Sequence, residues 1–442
     1  MSEIIGHAPE RAPRMKWRVM AESRQGTAKD LRWLVGLLCF ALFAGIVAHL
    51  KLPAELDLSE YGMPAMEFAQ THRISSVFLS IGYPVMVGAA MDIFPGVRGV
   101  AVANIAIYLA WVAIVWVLLR QLGATAKQAF LAGMVFALYP DILLSVNKVY
   151  QINLTTVVVL SFVVCAIHLV RSRTRYGADV LMAVMLGLGV VCRSNVFVFI
   201  PLTWFLLWKY KLPKAIPRAL GQLAGAALIY SAITIAVHGS LFWPQVGSYV
   251  LFSGANEYTA QEMERSYNDA AEGSLVPALK LRGIDAYHDW SKPDNLPGDN
   301  EVRNPKFARL YNHEALLFMR RHPGTMVKLT GFKLFVLLRP DLYIHKAKSV
   351  GGAIKIFSIF ALPTWIVLCF VLPHPRNDPS RLIIGLTILF FLAPHLLTVA
   401  APRFRISVDV LCFIDIAAML IVWRRGRVSK TRGHVKAAAL PA

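Results

Sequence analysis

Charge is what this chain has least of. Asp, Glu, Lys and Arg make up 16% of its 442 residues, where a soluble protein carries about a quarter. Hydrophobic residues reach 56%, an excess that needs a solvent other than water. Acidic residues are the scarcer sign, 26 against 46 basic ones, which leaves a net charge of +20. That balance raises the question of nucleic acid. However, the basic residues stand in short runs between apolar segments, the pattern of cytoplasmic loops rather than of a binding groove, so no nucleic-acid partner is expected. Cysteine is sparse as well. Cys39, Cys165, Cys192, Cys369 and Cys412 all lie within or beside apolar runs and none in the long polar stretch, which excludes a disulfide framework. No HExxH, paired CxxC or other metal-ligand spacing appears, so no cofactor is expected, and a divalent metal is not indicated. Residues 1–30 are too long and mixed for the n-region of a signal peptide, and the first apolar run reads as a retained helix.

What the chain does have is a series of apolar runs close to the length that crosses ~30 Å of hydrocarbon. They fall at 32–50, 97–119, 129–146, 154–170, 178–192, 195–212, 219–238, 353–373, 382–400 and 406–423. The fold class expected is therefore an all-α polytopic membrane protein of about ten transmembrane helices, with amphipathic interfacial helices in its outer loops. Orientation follows from the basic loops. Arg11, Arg14, Lys16 and Arg18 precede the first run, Arg171, Arg173 and Arg175 follow the fourth, Lys209, Lys211, Lys214 and Arg218 follow the sixth, and Arg424, Arg425, Arg427 and Lys430 follow the last. With an even number of crossings all of these lie on the cytoplasmic side. The chain then divides into a cytoplasmic arm (1–31), a transmembrane module (32–238) with an outer loop (51–96), a large extracytoplasmic loop (239–352), a second set of transmembrane helices (353–423) and a cytoplasmic tail (424–442).

Residues 325–338 test that parity. Counted as a crossing, they would put the tail arginines outside. The run is short and carries Lys328 and Lys333, so it reads as an amphipathic helix in the outer interface. The stretch 178–212, interrupted by Arg193, reads either as two spans or as one broken span with an interfacial piece. No repeat of solenoid period or inverted transporter repeat is evident.

Few charged groups remain near the outer face. Asp57, Glu60 and Tyr61 share a helical face just beyond the first span. A carboxylate there suits a general base or a sugar or cation ligand, and equally an ordinary solvated helix. Arg403 and Arg405 flank Phe404 at the mouth of the last span. They suit capture of a phosphate at headgroup depth, or interfacial anchoring with Arg405 paired to Asp409. Arg193 and Asn195 interrupt an otherwise apolar run, as residues lining a cavity do, and a turn between spans would also accept them. Lys148 is another outward cation, with Asp141 a possible partner. His238 and His345 border the large loop, where a lone histidine is usually a satisfied polar group. Asp415 falls in the middle of the last span and implies a partner.

Together these pieces resemble the GT-C superfamily of polytopic glycosyltransferases, the group of protein O-mannosyltransferases and lipid A aminoarabinose transferases. The likeness runs from the first span to the last, each motif being loose. Asp57-Leu-Ser-Glu60-Tyr61, with Ala65 and Ala69 following, resembles the family's aspartate segment. Gly82-Tyr83-Pro84 is similar to its Tyr-Pro, and Gly187-Leu-Gly189 with Cys192-Arg193-Ser194-Asn195 to its corner after a Gly-rich helix. Ser253-Gly254-Ala255-Asn256 resembles the opening of its large loop, Glu314 to Gly324 the helix–Pro-Gly–helix return to the membrane, and Arg403-Phe404-Arg405 its late Arg-x-Arg. The acidic pair is split here, and Ser194-Asn195 stand where the corner proline is usual.

The resemblance implies transfer of a sugar from a polyprenyl-phosphate donor, by inverting single displacement, to an acceptor glycan, lipid or protein at the outer face of a bacterial inner membrane. Asp57 would be the base and Arg403 and Arg405 would hold the lipid phosphate. Glu60, Tyr61, Lys148, Arg193, Asn195 and Asn256 would bind substrate. A lipid-linked glycan ligase or polymerase would use similar outward arginines. A lipid or sugar transporter would instead place charge deep in several spans.

Overall fold

Away from water a backbone must satisfy its own hydrogen bonds, and a helix does so within one segment. Every regular element among the described residues is helical. The computed structural model describes residues 27–51, 61–75, 80–139, 142–143, 146–147, 149, 151–172, 176–241, 246–256, 259–260, 305–338, 364–368, 378–398 and 405–438. In chain order the helices are α1 (Thr27–Lys51), α2 (Gly62–Thr71), α3 (Gly82–Ile93), α4 (Val97–Gln121), α5 (Ala126–Ala137), α6 (Gln151–Ser172), α7 (Tyr176–Cys192), α8 (Phe199–Lys209), α9 (Ala215–His238), α10 (Val246–Gly254), α11 (Pro305–Arg321), α12 (Pro323–Leu338), α13 (Pro379–Leu397) and α14 (Arg405–Ala438). Six of them, α1, α4, α6, α9, α13 and the 406–424 part of α14, are long and apolar enough to cross a membrane, and α5, α7 and the 194–209 stretch are shorter apolar helices.

Helix α6 is the axis of the bundle. It is apolar all round, as a helix enclosed by others must be, and packs against α3, α4, α7, α8, α13 and α14. Phe162 stacks on Phe199 of α8 at 4.4 Å. Its two buried threonine hydroxyls are satisfied without breaking the helix: Thr155 donates to the Gln151 carbonyl at 3.0 Å and Thr156 to that of Ile152 at 2.9 Å. Outside this core, α1 and α9 turn broad apolar faces outward, with Phe43, Leu50, Ile216 and Leu228 all largely exposed. Water would not tolerate so large an apolar surface, and lipid does.

The helix ends sort into two groups. Asp30 at the start of α1 pairs with Arg120 at the end of α4 at 2.6 Å. Arg171 at the end of α6 donates to the Gln121 carbonyl at 2.5 Å and to Ser380 at the start of α13 at 2.9 Å. Asp179 at the start of α7 takes Arg218 at the start of α9 at 2.9 Å. All of these lie at one end of the bundle, called here the basic end, which also carries the exposed turn with Lys209, Lys211 and Lys214. Local signals stop the helices there. Gly123 turns at φ 94° after α4, Thr125 and Gln128 form a capping box for α5, and Asp378 caps α13 ahead of Pro379. The other ends of the same helices meet at the opposite end. The chain thus runs antiparallel from α4 through α9; α9 ends at the opposite end, and α13 begins at the basic end.

Several expectations change. In the run expected to cross at 129–146, helix α5 ends at Ala137, a turn follows at 138, and residues 142–143 are helical again. The stretch around Arg193 is two elements: α7 ends at Cys192, Arg193 is extended (φ −164°, ψ 126°), and a 3-10 turn at Ser194–Val198 leads into α8. The amphipathic helix is not where it was expected. In α12 Lys333 is fully buried while Val327 and Phe335 are exposed, so polar and apolar faces are not segregated. That segregation belongs to the preceding helix α11, which buries Ala308, Tyr311, Ala315 and Phe318 at spacings of three and four. Asp415 has its partners: the Trp365 indole donates to it at 2.8 Å and Arg381 lies 3.6 Å away. Of the run expected at 353–373 only 364–368 is described, and through Trp365 it sits against the middle of α14.

Candidate functional site

The opposite end gathers buried polar groups from parts of the chain far apart in sequence. Asn147 receives the His49 imidazole at 2.8 Å and donates to the Ala48 carbonyl at 3.1 Å, tying the end of α1 to the approach to α6. Four residues on, Gln151 opens α6. The Tyr61 hydroxyl donates to its Oε1 at 3.1 Å, and its Nε2 donates to the Cys192 carbonyl at the end of α7. Gly82 permits this approach, because a Cβ there would lie 2.8 Å from the Cys192 sulfur. Tyr61 also meets Tyr83 edge to face at 6.0 Å, and Tyr83 donates to Asn104 of α4 at 2.9 Å. One turn further along α6, Thr156 shares a 2.7 Å hydrogen bond with Ser407 in the first turn of α14. Gln151 is thus bridged to Tyr61 and Cys192, and Thr156 on the same helix to α14. Buried amides and hydroxyls so placed are costly unless paired.

A second set of contacts adjoins this one. Gly254 ends α10 so close to Thr398 that a Cβ would overlap the Thr398 carbonyl. Lys333, buried in α12, donates to the Gly254 carbonyl at 2.6 Å. Burial pushes its ammonium down from 10.5 to about 8. Phe252 stacks on Tyr311 of α11 at 5.6 Å, so α10, α11 and α12 form one layer, which meets the bundle at the junction of Gly254, Thr398 and Lys333 and through Leu337.

Of the residues expected from the sequence to act, Tyr61 is buried within the polar cluster and Arg193 is half-buried beside it, directly after Cys192. Asn195 lies in the 3-10 turn that follows. Asn256 is near but committed to its own loop: its amide donates to the Phe252 and Ser253 carbonyls and accepts from the Thr259 N–H at 2.9 Å. Asp57, Glu60, Lys148 and Arg403 lie outside the described residues, and Arg405 opens α14 with only its backbone described. Their described neighbours are informative. Segment 52–60 is bounded by the end of α1 and by Tyr61, residue 148 follows Asn147, and 399–404 is bounded by Thr398 and by the start of α14. Each of these boundaries is at the opposite end. The Nδ1 of His238 is 2.7 Å from the Ile74 carbonyl, a satisfied polar contact, and His345 lies outside the described residues.

Sequence reading passed over Asn104, Asn147 and Gln151, and took Lys333 for part of an interfacial polar face. Asn147 and Gln151 left one usable sign, the density of amides in Asn147-Lys-Val-Tyr-Gln151-Ile-Asn153 immediately before a long apolar run. Asn104 left none, and nothing marked Lys333 as buried, since an exposed and a buried lysine look alike in sequence. Compared with known proteins, the chain matches no protein-family model and no curated protein.

Proposed function

We propose that this chain is a glycosyltransferase of the GT-C kind, which transfers a sugar from a polyprenyl-phosphate donor to an acceptor at the extracytoplasmic face of a bacterial inner membrane. The observation that carries the reading is the convergence at one end. The described flanks of Asp57, Lys148, Arg193 and the Arg403/Arg405 pair, parted by more than three hundred residues, meet around Gln151 and Thr156. That end is opposite the one rich in arginine and lysine, and the positive-inside bias assigns the latter to the cytoplasm together with both termini. The departure of α9 from one end and the entry of α13 at the other imply an odd number of crossings between them. One crossing at 353–373 meets the requirement, in keeping with Trp365 against α14. This supports a total of about ten spans and argues against α12 as one more.

In the reaction the acceptor hydroxyl oxygen attacks the anomeric carbon while its proton passes to the Asp57 carboxylate. The bond from that carbon to the phosphate oxygen breaks with inversion, and polyprenyl phosphate leaves with the electron pair. Arg403 and Arg405 balance the charge growing on the departing phosphate. Glu60, Tyr61, Lys148, Arg193 and Asn195 orient the sugar or the acceptor, and the prenyl chain lies among the spans.

Reconstituted with a radiolabelled polyprenyl-phosphate monosaccharide and crude envelope acceptors, the protein should release polyprenyl phosphate and label an acceptor. Movement of intact donor across the bilayer without release would identify a transporter instead. Transfer of a preassembled glycan in preference to a monosaccharide would identify a ligase. Asp57→Asn should lower turnover by about 10²–10⁴-fold with donor binding retained, and full activity in that variant removes Asp57 from the chemistry. Arg405→Ala should weaken donor binding.

A further inference from the structure

A membrane-facing groove lies at the other end of the molecule from the proposed transfer site. Helices α7 and α9 flank a groove of about 500 Å³, within the range of about 300–1,000 Å³ that small-molecule sites occupy. Its walls are Val180, Ala183, Leu228 and Ile229. Its floor is glycine: a Cβ at Gly221 would meet nothing within 4 Å, and one at Gly225 would touch only Ala183 at 2.9 Å. The exposure of Val180 and Leu228, 64% and 71%, leaves the groove open to the surroundings of the bundle.

Polarity in the groove is confined to the basic end. There Asp179 is held by Arg218 through two bonds at 2.9 and 3.0 Å and by Gln222 at 2.7 Å, so its charge is answered inside the fold. Lys214, at the mouth, is exposed, as is Lys211 on the turn before it. From Lys214 to Ile229 the helix rises about 22 Å, and one leaflet with its headgroups is about 20–22 Å thick. The groove is apolar over its inner length and cationic at its mouth, and it is one leaflet long.

We propose that this groove is a binding site for an anionic phospholipid of the cytoplasmic leaflet, with its phosphate at Lys214 and an acyl chain lying over Gly221 and Gly225. A second transmembrane helix would also fit a glycine floor, but it would bring no anion to the lysines. The site depends on the membrane setting of the chain and not on sugar transfer, so the transfer assay and the lipid assay fail independently.

The full-length protein, in phosphatidylcholine vesicles doped with a diazirine-tagged phospholipid, provides the test. Tagged phosphatidylglycerol should label peptides from 176–192 and 215–238 more strongly than tagged phosphatidylcholine. Lys214→Gln should reduce that preference roughly fivefold, the effect of one lysine near an anionic surface. Gly221→Phe, which fills open space and should fold, should abolish labelling in these peptides and leave it elsewhere. Equal labelling by the two lipids, or labelling unchanged in Gly221→Phe, overturns the proposal. So does a protein–protein crosslink through the groove, which would show that a second copy fills it.

Discussion

Lys333 shows how far a single side chain can depart from its surface counterpart. It is fully buried, lies on a helix outside the six long apolar ones, and gives its proton up near pH 8 rather than 10.5. Between those values the unfolded chain holds more protons than the folded one, so stability rises with pH across that interval. Below about pH 8 both states are charged and the cost of burying the ammonium is carried in full. The rise should not exceed roughly 3 kcal/mol. Denaturant unfolding at pH 7.5 and pH 10 should show it in the native protein, and Lys333→Met should remove it. Gln151 is a simpler case. Its amide joins Tyr61 to the Cys192 carbonyl, and Gln151→Leu leaves both partners buried without it. A loss of about 1–3 kcal/mol is expected for each buried group so stranded, read as a lower unfolding midpoint. Gln151 did not announce itself in the sequence, and Lys333 stood out only as one of two lysines in a short apolar run. The chemistry of a buried polar group depends on which remote segment meets it, and Gln151 meets Tyr61 from ninety positions away.

At the scale of the element, the sequence was most legible where a run was long and uniformly apolar. The expectations at 97–119 and 154–170 fall within α4 and α6, and that at 382–400 overlaps α13 as far as Leu397. It was least legible where length and polarity conflict. Arg193 breaks 178–212 into two short antiparallel helices, which composition leaves open between a turn and a kink. Lys328 and Lys333, five apart, suggested a polar face on α12, yet 3.6 residues per turn separates them by 140°, and only Lys328 points outward. The ion pair between α13 and α14 gives a test at this scale. Arg381→Met removes a cation beside the buried Asp415 and should cost about 3–5 kcal/mol. The double variant Arg381→Met with Asp415→Leu should recover much of that loss, measured in a double-mutant cycle. Additive losses would mean that the two helices do not depend on the pair.

For the molecule as a whole, the sorting of helix ends predicts accessibility. In a variant without the five native cysteines, Gly123→Cys and Lys211→Cys should react with an impermeant thiol reagent from the side where the C-terminal tail is found. Arg73→Cys and Gly239→Cys should react from the other side. Labelling of Gly123→Cys and Arg73→Cys from the same side would contradict the arrangement. The overall pattern of basic loops was readable in advance because charge is excluded from hydrocarbon and has nowhere else to go. The assembly around Gln151 was not, because it is made by folding and not by spacing.

The bond between Thr156 and Ser407 has one further consequence. It joins the second turn of α6 to the first turn of α14, which run in the same direction, so two N-terminal segments lie side by side. Each peptide array carries about half a positive charge at that end. Antiparallel helices cancel such fields and parallel ones add them. At this mouth the sum is only partial, because the C-terminus of α7 meets Gln151 at the start of α6 and offsets part of the field there. An anion reaching that point meets a weak pull from the backbone, and most of its attraction must come from side chains.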